Sequence, residues 1–259
     1  MLSDGRPASH AAVFLGDAGS TASTLSQGAA YYYTAHCDAA GRFAVPHVRA
    51  GAYALHAWSN GSALADVASA FARDGVAVAA GRDTQLGDLV WPVSERRRLF
   101  RLGDFDRTAY GFRFGGAPYE HALAERCPAD LEVEAGPEAA AQWCFAQTRR
   151  GNWTVRFRVP DEGRAAAPAR ANLIVSLAGY SGGSTAVWVN DRAVGAISGG
   201  MVPDASLVRS ATTAGEWRLV EFGFDAAILR PGESNRVRFE VARSRGLSGI
   251  MYDSVILEW

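Results

Sequence analysis

A chain of 259 residues, 48% of them apolar, is long enough for two domains and too apolar for global disorder. Its formal charge of −1 supplies no net basic field for nucleic acid. All 26 basic residues are arginine, which stays protonated and makes a poor general base.

The first residues, Met1-Leu2-Ser3-Asp4, lead into charge and proline rather than an apolar core, so no signal peptide is read there. Short strands separated by glycine-rich turns follow, over Ala11–Leu15, Ala30–Ala35, Phe43–Val45, Ala52–Trp58, Val76–Ala79 and Leu86–Trp91. Pro46 has no ladder donor and closes the third of these. In the fourth, alternation puts Tyr53, Leu55 and Ala57 on one face and His56 and Trp58 on the other. Ala63–Arg73 reads equally well as a helical turn or a loop. The cluster Glu95-Arg96-Arg97-Arg98 reads as a solvated linker, which sets domains at 1–94 and 95–259.

Alternation is cleaner beyond the linker. Trp153, Val155, Phe157 and Val159 face one way, Arg156 and Arg158 the other. Val237, Phe239 and Val241 alternate with Arg236, Arg238 and Glu240, and Val220, Phe222 and Phe224 continue the theme. The uncharged run from Ala171 to Asn190 has the length of a membrane span. Its centre, Gly179-Tyr-Ser-Gly-Gly-Ser-Thr185, makes two strands around a polar turn the better reading, so no membrane is expected. Many short strands without interleaved helices predict an antiparallel sandwich.

The residues offer little chemistry. Cys37, Cys127 and Cys144 form no Cys-x-x-Cys, which argues against zinc. They are either three buried thiols or, in an oxidising compartment, a Cys127–Cys144 bridge with Cys37 free. The five histidines, His10, His36, His47, His56 and His121, have no nucleophile or acid at a spacing that suggests a catalytic pair. No Gly-x-Ser-x-Gly, Walker or dinucleotide fingerprint occurs. Tyr31, Tyr32, Tyr33 and five tryptophans, among them Trp188, are the aromatic faces on which a sugar could stack, with Trp153 and Trp217 assigned to the core.

The run Gly41-Arg-Phe43, then Pro46, Val48-Arg49, Gly51-Ala-Tyr53 and Leu55-His-Ala-Trp58, resembles the fibronectin-III-like middle domain of rhamnogalacturonan endolyases, polysaccharide lyase family four. Leu86-Gly-Asp-Leu-Val-Trp91 resembles that domain's last strand. Asp106-Arg-Thr-Ala109, Trp143-Cys-Phe-Ala-Gln147, Trp153–Val159 and the tail Gly249–Glu258 resemble the third domain in order and spacing. The resemblance covers nearly the whole chain. It implies an all-β protein, a fibronectin-III-like β-sandwich followed by a jelly-roll, carbohydrate-binding-module-like sandwich.

In this family the proton-abstracting lysine and histidine belong to a large N-terminal domain. The chain is therefore expected to begin inside a domain, as a fragment of a lyase, and to be inactive alone. Its implied role is to help hold the pectic polysaccharide, outside the cell and as a monomer. A standalone pectin-binding module and a structural spacer without sugar affinity are the alternatives. The polymer alternates rhamnose with galacturonate, so the expected contacts are arginines. Arg156 and Arg243 sit where relatives also carry a basic residue. Arg107 contacts a sugar carboxylate or, with Asp106, merely fixes a turn. No cofactor is required. Asp253 is the one candidate ligand for a structural calcium, the other reading being an exposed-face aspartate.

Overall fold

The computed structural model describes residues 1–20, 32–59, 64, 67, 69–161, 169–198, 217–242 and 248–259. Contacts divide the chain into two units, Met1–Glu95 and Arg96–Trp259. Both are built of β-strands.

In the first unit, β1 (Ala12–Asp17), β2 (Tyr32–His36), β3 (Gly51–Trp58) and β4 (Phe71–Val78) form one antiparallel sheet in the order β2-β1-β3-β4. Val13, Leu15, Tyr53, Leu55, Ala57 and Val76 share a core with Trp91. Two expected strands are not strands. Phe43 and Val45 lie in irregular chain that runs on past Pro46 to β3, yet both pack on this core. Leu86–Trp91 is also irregular: its one β-bridge is that of Trp91 with Leu2, and Met1 and Arg73 donate to the Leu89 and Leu86 carbonyls. Apolar side chains hold both segments, so periodicity found the core residues without any ladder. Conversely, β4 starts at Phe71, inside the segment read as a helical turn or loop. His56 and Trp58 are buried like Tyr53, Leu55 and Ala57, so β3 is covered on both faces.

The second unit has two five-stranded sheets. One runs β11-β10-β13-β8-β6, made from β6 (Leu131–Glu134), β8 (Gly151–Arg158), β10 (Ser184–Val189), β11 (Arg192–Ser198) and β13 (Ser234–Val241). The other runs β12-β9-β14-β5, from β5 (Arg98–Leu102), β9 (Arg170–Tyr180), β12 (Arg218–Asp225) and β14 (Ile250–Glu258), with the two-residue β7 (Ala146–Gln147) also on β14. The uncharged run does split into two strands, β9 and β10, around Ser181–Gly183.

The sheets face each other across one core, which makes the unit a β-sandwich. Trp153 stacks on Tyr252, centroids 5.7 Å apart, and Phe100 meets Phe157 at 5.0 Å. Trp143 stands edge-on to both Trp153 and Tyr252. One pairing departs from the antiparallel expectation: β6 runs parallel to β8. Parallel neighbours need a long crossover. Here the chain leaves β6, makes the helical turn Ala139–Gln142, inserts Trp143, pairs through β7 with the opposite sheet, and only then returns as β8. The disulfide Cys127–Cys144, Cα atoms 5.8 Å apart, clamps this excursion, while Cys37 is a buried free thiol in the other unit. The open question about the cysteines thus resolves to the bridge.

Candidate functional site

Asp253 is the extra residue of a bulge in β14, where the register to β9 shifts on either side of Tyr252. The bulge explains why an acid interrupts an apolar strand. The side chain is turned inward rather than outward, and the residue is 1% exposed. Its Oδ1 accepts the backbone N–H groups of Asp106 (3.0 Å) and Arg107 (2.8 Å). Its Oδ2 accepts the Ser176 hydroxyl, and Ser176 Oγ in turn accepts Trp217 Nε1–H at 2.7 Å. Four separated parts of the chain meet here. They are the loop after β5, strand β9, the residue before β12, and β14.

The Asp106-Arg107-Thr108-Ala109 motif is the other half of the knot. Asp106 Oδ1 accepts both N–H and hydroxyl of Thr108, at 2.9 and 2.8 Å, closing a tight turn. Arg107 adopts φ 68°, and its guanidinium lies 4.0 Å from the centre of the Trp217 ring. Gly103, at φ 71°, lets this loop approach, because a Cβ there would strike the Asp253 carbonyl and come 2.6 Å from Phe112. Burial pushes the Asp253 carboxyl up to about 8. Burial likewise pulls Arg107 down to about 9, partly opposed by the charge of Asp253. The arrangement fixes a loop to the last strand, and both oxygens of Asp253 are taken by protein donors. Among the described residues no three metal-ligating side chains converge.

The arginines form a second group, on the outer face of the β6-β8-β13-β10 sheet. Arg156 and Arg236 lie directly across the β8–β13 pair, and Arg238 lies opposite Thr154. Facing like charges repel, and acids answer them. Arg156 Nε pairs with Glu132 at 2.8 Å, Arg236 with Asp191 at 2.5 Å, and Arg238 with Glu240 at 3.1 Å. Arg238 also bonds Asn152 and lies 4.8 Å from the centre of the Trp188 ring. Arg158 is exposed at the end of the row. Alternation thus placed the arginines and Glu240, which share strand β13 or its face, but not Glu132 and Asp191, which come from β6 and the β10–β11 turn. Arg243 lies outside the described residues. Arg107 is in the knot, on the other sheet's side of the fold, so the structure does not gather it with Arg156.

The tryptophan reading also finds its place. Trp153 and Trp217 are buried, as expected of core residues. Missed by sequence reasoning were Tyr110 and Tyr119, 57% and 67% exposed, in a segment with no alternation to flag their direction. Also missed was Gln147, buried between Tyr252, whose hydroxyl it accepts at 2.8 Å, and the Phe239 carbonyl. The motifs Trp143–Gln147 and Gly249–Glu258 therefore meet in the core.

Comparison with known proteins follows the two units. Residues 3–86 match the model of polysaccharide lyase family 4 domain II, and residues 98–257 that of domain III, described as carbohydrate-binding-module-like. A rhamnogalacturonate lyase of Dickeya dadantii (strain 3937) is 28% identical over 261 aligned positions, covering 96% of this chain and 42% of that protein. A probable rhamnogalacturonate lyase B of Aspergillus niger is 36% identical over 87 positions, 34% of this chain and 12% of its own length. Rhamnogalacturonate lyase B of Emericella nidulans is 33% identical over the same length. The chain spans less than half the length of these relatives. The domain III match alone takes in more than half of its residues, and the chain belongs to polysaccharide lyase family 4, carrying that family's domains II and III.

Proposed function

We propose that this chain is the non-catalytic, polysaccharide-holding portion of a rhamnogalacturonan lyase, working outside the cell. The observation that carries the reading is the arginine row Arg156, Arg158, Arg236 and Arg238 on one open sheet face of the domain III unit. Galacturonate recurs along the polymer, and arginine's planar fork matches a carboxylate. The acids now facing these arginines do not block that role. Exposed ion pairs contribute only about 0–1 kcal/mol, so an incoming carboxylate can exchange for one at little cost. Arg243, near the end of β13 in sequence, and Arg107 are the further arginines assigned to the polymer. The names of the relatives support the choice of polymer.

Cleavage is assigned elsewhere. β-Elimination needs a base of suitable pKa and a cation near the uronate carboxylate. The chain has no lysine, and His56, whose Nε2 lies 3.5 Å from the Ser20 hydroxyl, is buried and turns the same nitrogen to the Ser20 carbonyl at 3.1 Å, a contact in which Nε2 carries the proton rather than accepts one. Affinity electrophoresis in gels containing rhamnogalacturonan tests binding, and ultraviolet absorbance tests elimination, because the product carries a conjugated double bond. Retarded migration that added salt abolishes, with flat absorbance, is expected. Unretarded migration, or an enzyme-dependent rise in absorbance, overturns the reading.

A further inference from the structure

The chain between β5 and β6, residues 103–130, contains only one short 3-10 turn, Leu123–Arg126. Connections of that length in compact domains are uncommon unless they serve a function. This one is firmly built. Arg113 N–H donates to the Trp143 carbonyl at 2.9 Å, and its own carbonyl accepts Phe145 N–H at 3.1 Å. The Cys127–Cys144 bridge lies beside that pairing. Phe105, Ala109, Phe112 and Leu123 are buried beneath. Gly115 packs so closely that a Cβ would overlap the Ala109 carbonyl.

On this anchored base the loop shows what a fold normally hides. Tyr110 and Tyr119 are the large apolar side chains most exposed among the described residues of the unit. They belong to one short stretch of the loop. The Tyr110 ring comes 3.5 Å from where a Cβ on Gly116 would sit, and Tyr119 is three residues further on, at most about 11 Å of chain. Between them in sequence, Arg113 is exposed, with its guanidinium 4.8 Å from the centre of the Phe114 ring. Phe114 holds φ 66°, an unfavourable conformation for a bulky residue. Arg126 approaches the same ring at 5.9 Å but is paired with Glu120 at 3.2 Å. Arg113, by contrast, has no carboxylate within ion-pair distance among the described residues.

Two exposed aromatic side chains on the same anchored loop as an exposed guanidinium held over the Phe114 ring suit a flat, hydroxylated ligand bearing carboxylates. We infer that Tyr110, Arg113 and Tyr119 form a second contact surface for an acidic polysaccharide, with the tyrosines stacking on sugar rings and Arg113 gripping a uronate carboxylate. This rests on the reading of the chain as a pectic-polymer holder and adds a surface that the arginine row does not include. Backbone fixation means little ordering cost on binding.

The test is isothermal titration of the intact chain with rhamnogalacturonan fragments and with the same fragments after carboxyl reduction. Arg113→Gln and Tyr110→Ala/Tyr119→Ala should each raise Kd about tenfold, with Tm unchanged because these side chains are exposed. Arg113→Lys, keeping charge but losing the fork, should fall between. On the reduced fragments the Arg113 variants should match the parent, while the tyrosine variants still bind more weakly. If the loop variants bind as the parent does while Arg156→Ala loses binding, this surface is overturned and the holder reading stands. If the parent binds neither fragment, both fall.

Discussion

Arg107 donates its backbone N–H to Asp253 at 2.8 Å while laying its guanidinium on Trp217, 4.0 Å from the ring centre. One residue thus ties the loop after β5 to the terminal strand through its main chain and to the start of β12 through its side chain. Sequence placed Asp106-Arg107 and Asp253 in separate roles, one a turn or a sugar contact, the other a surface acid or a calcium ligand. Folding joins them.

This buried carboxyl has a pH signature. Asp253 sits at about 8 when folded, because burial disfavours its charge, against about 3.9 for an unfolded aspartate. The raised value means the folded state holds the proton more tightly. Its stabilising contribution is full below about pH 4 and is lost as pH rises through 8. Urea midpoints of the parent and of Asp253→Asn, measured from pH 5 to 8.5, should therefore diverge. The parent should lose stability relative to the variant as pH rises. A difference that is flat, or that moves the other way, would show that Asp253 is ionised throughout.

The disulfide closes a loop of 17 residues between β5's long connection and the crossover to β8. In the chain-entropy model a loop near 15 residues contributes about 3 kcal/mol. Cys127→Ser with Cys144→Ser should lower the unfolding free energy of the second unit by about that amount, and reductant should do the same to the parent. Equal stability with and without the bridge would contradict this.

Gly103 and Gly182 both have positive φ, 71° and 80°, but only Gly103 faces neighbours that a methyl group would strike. Gly182→Ala should cost about 1 kcal/mol from backbone strain alone. Gly103→Ala adds collision with the Asp253 carbonyl and Phe112, and should cost about 2–4 kcal/mol. Comparable costs in thermal unfolding would mean that the close approach of this loop to β14 is not what requires the glycine.

Arg156→Ala, in the arginine row, and Arg243→Ala should each weaken retention on rhamnogalacturonan severalfold and leave Tm nearly unchanged; the exposed Arg156–Glu132 pair contributes only about 0–1 kcal/mol. Salt should mimic both, because screening weakens the same contacts. Undiminished retention by the double variant would overturn both assignments.

Much of the second unit was legible because period-two alternation is local. Trp153, Val155 and Phe157 against Arg156 and Arg158 state both strand and face, whatever lies across the sheet. The split of Ala171–Asn190 into two strands came from its glycine-rich centre for the same reason. Phe43–Val45 and Leu86–Trp91 show the limit. Their apolar residues predicted burial correctly, but whether a ladder forms depends on a partner strand that no local pattern names. The parallel β6–β8 pair, the knot at Asp253 and the closing of the Cys127–Cys144 bridge depend on residues up to 147 positions apart. Alternation within β8 and β13 settled which of their large apolar side chains turn inward, though not in β3 or β14, which are buried on both faces. Only tertiary structure decided which buried polar groups meet, because a buried donor or acceptor is satisfied by whatever distant segment the topology brings to it.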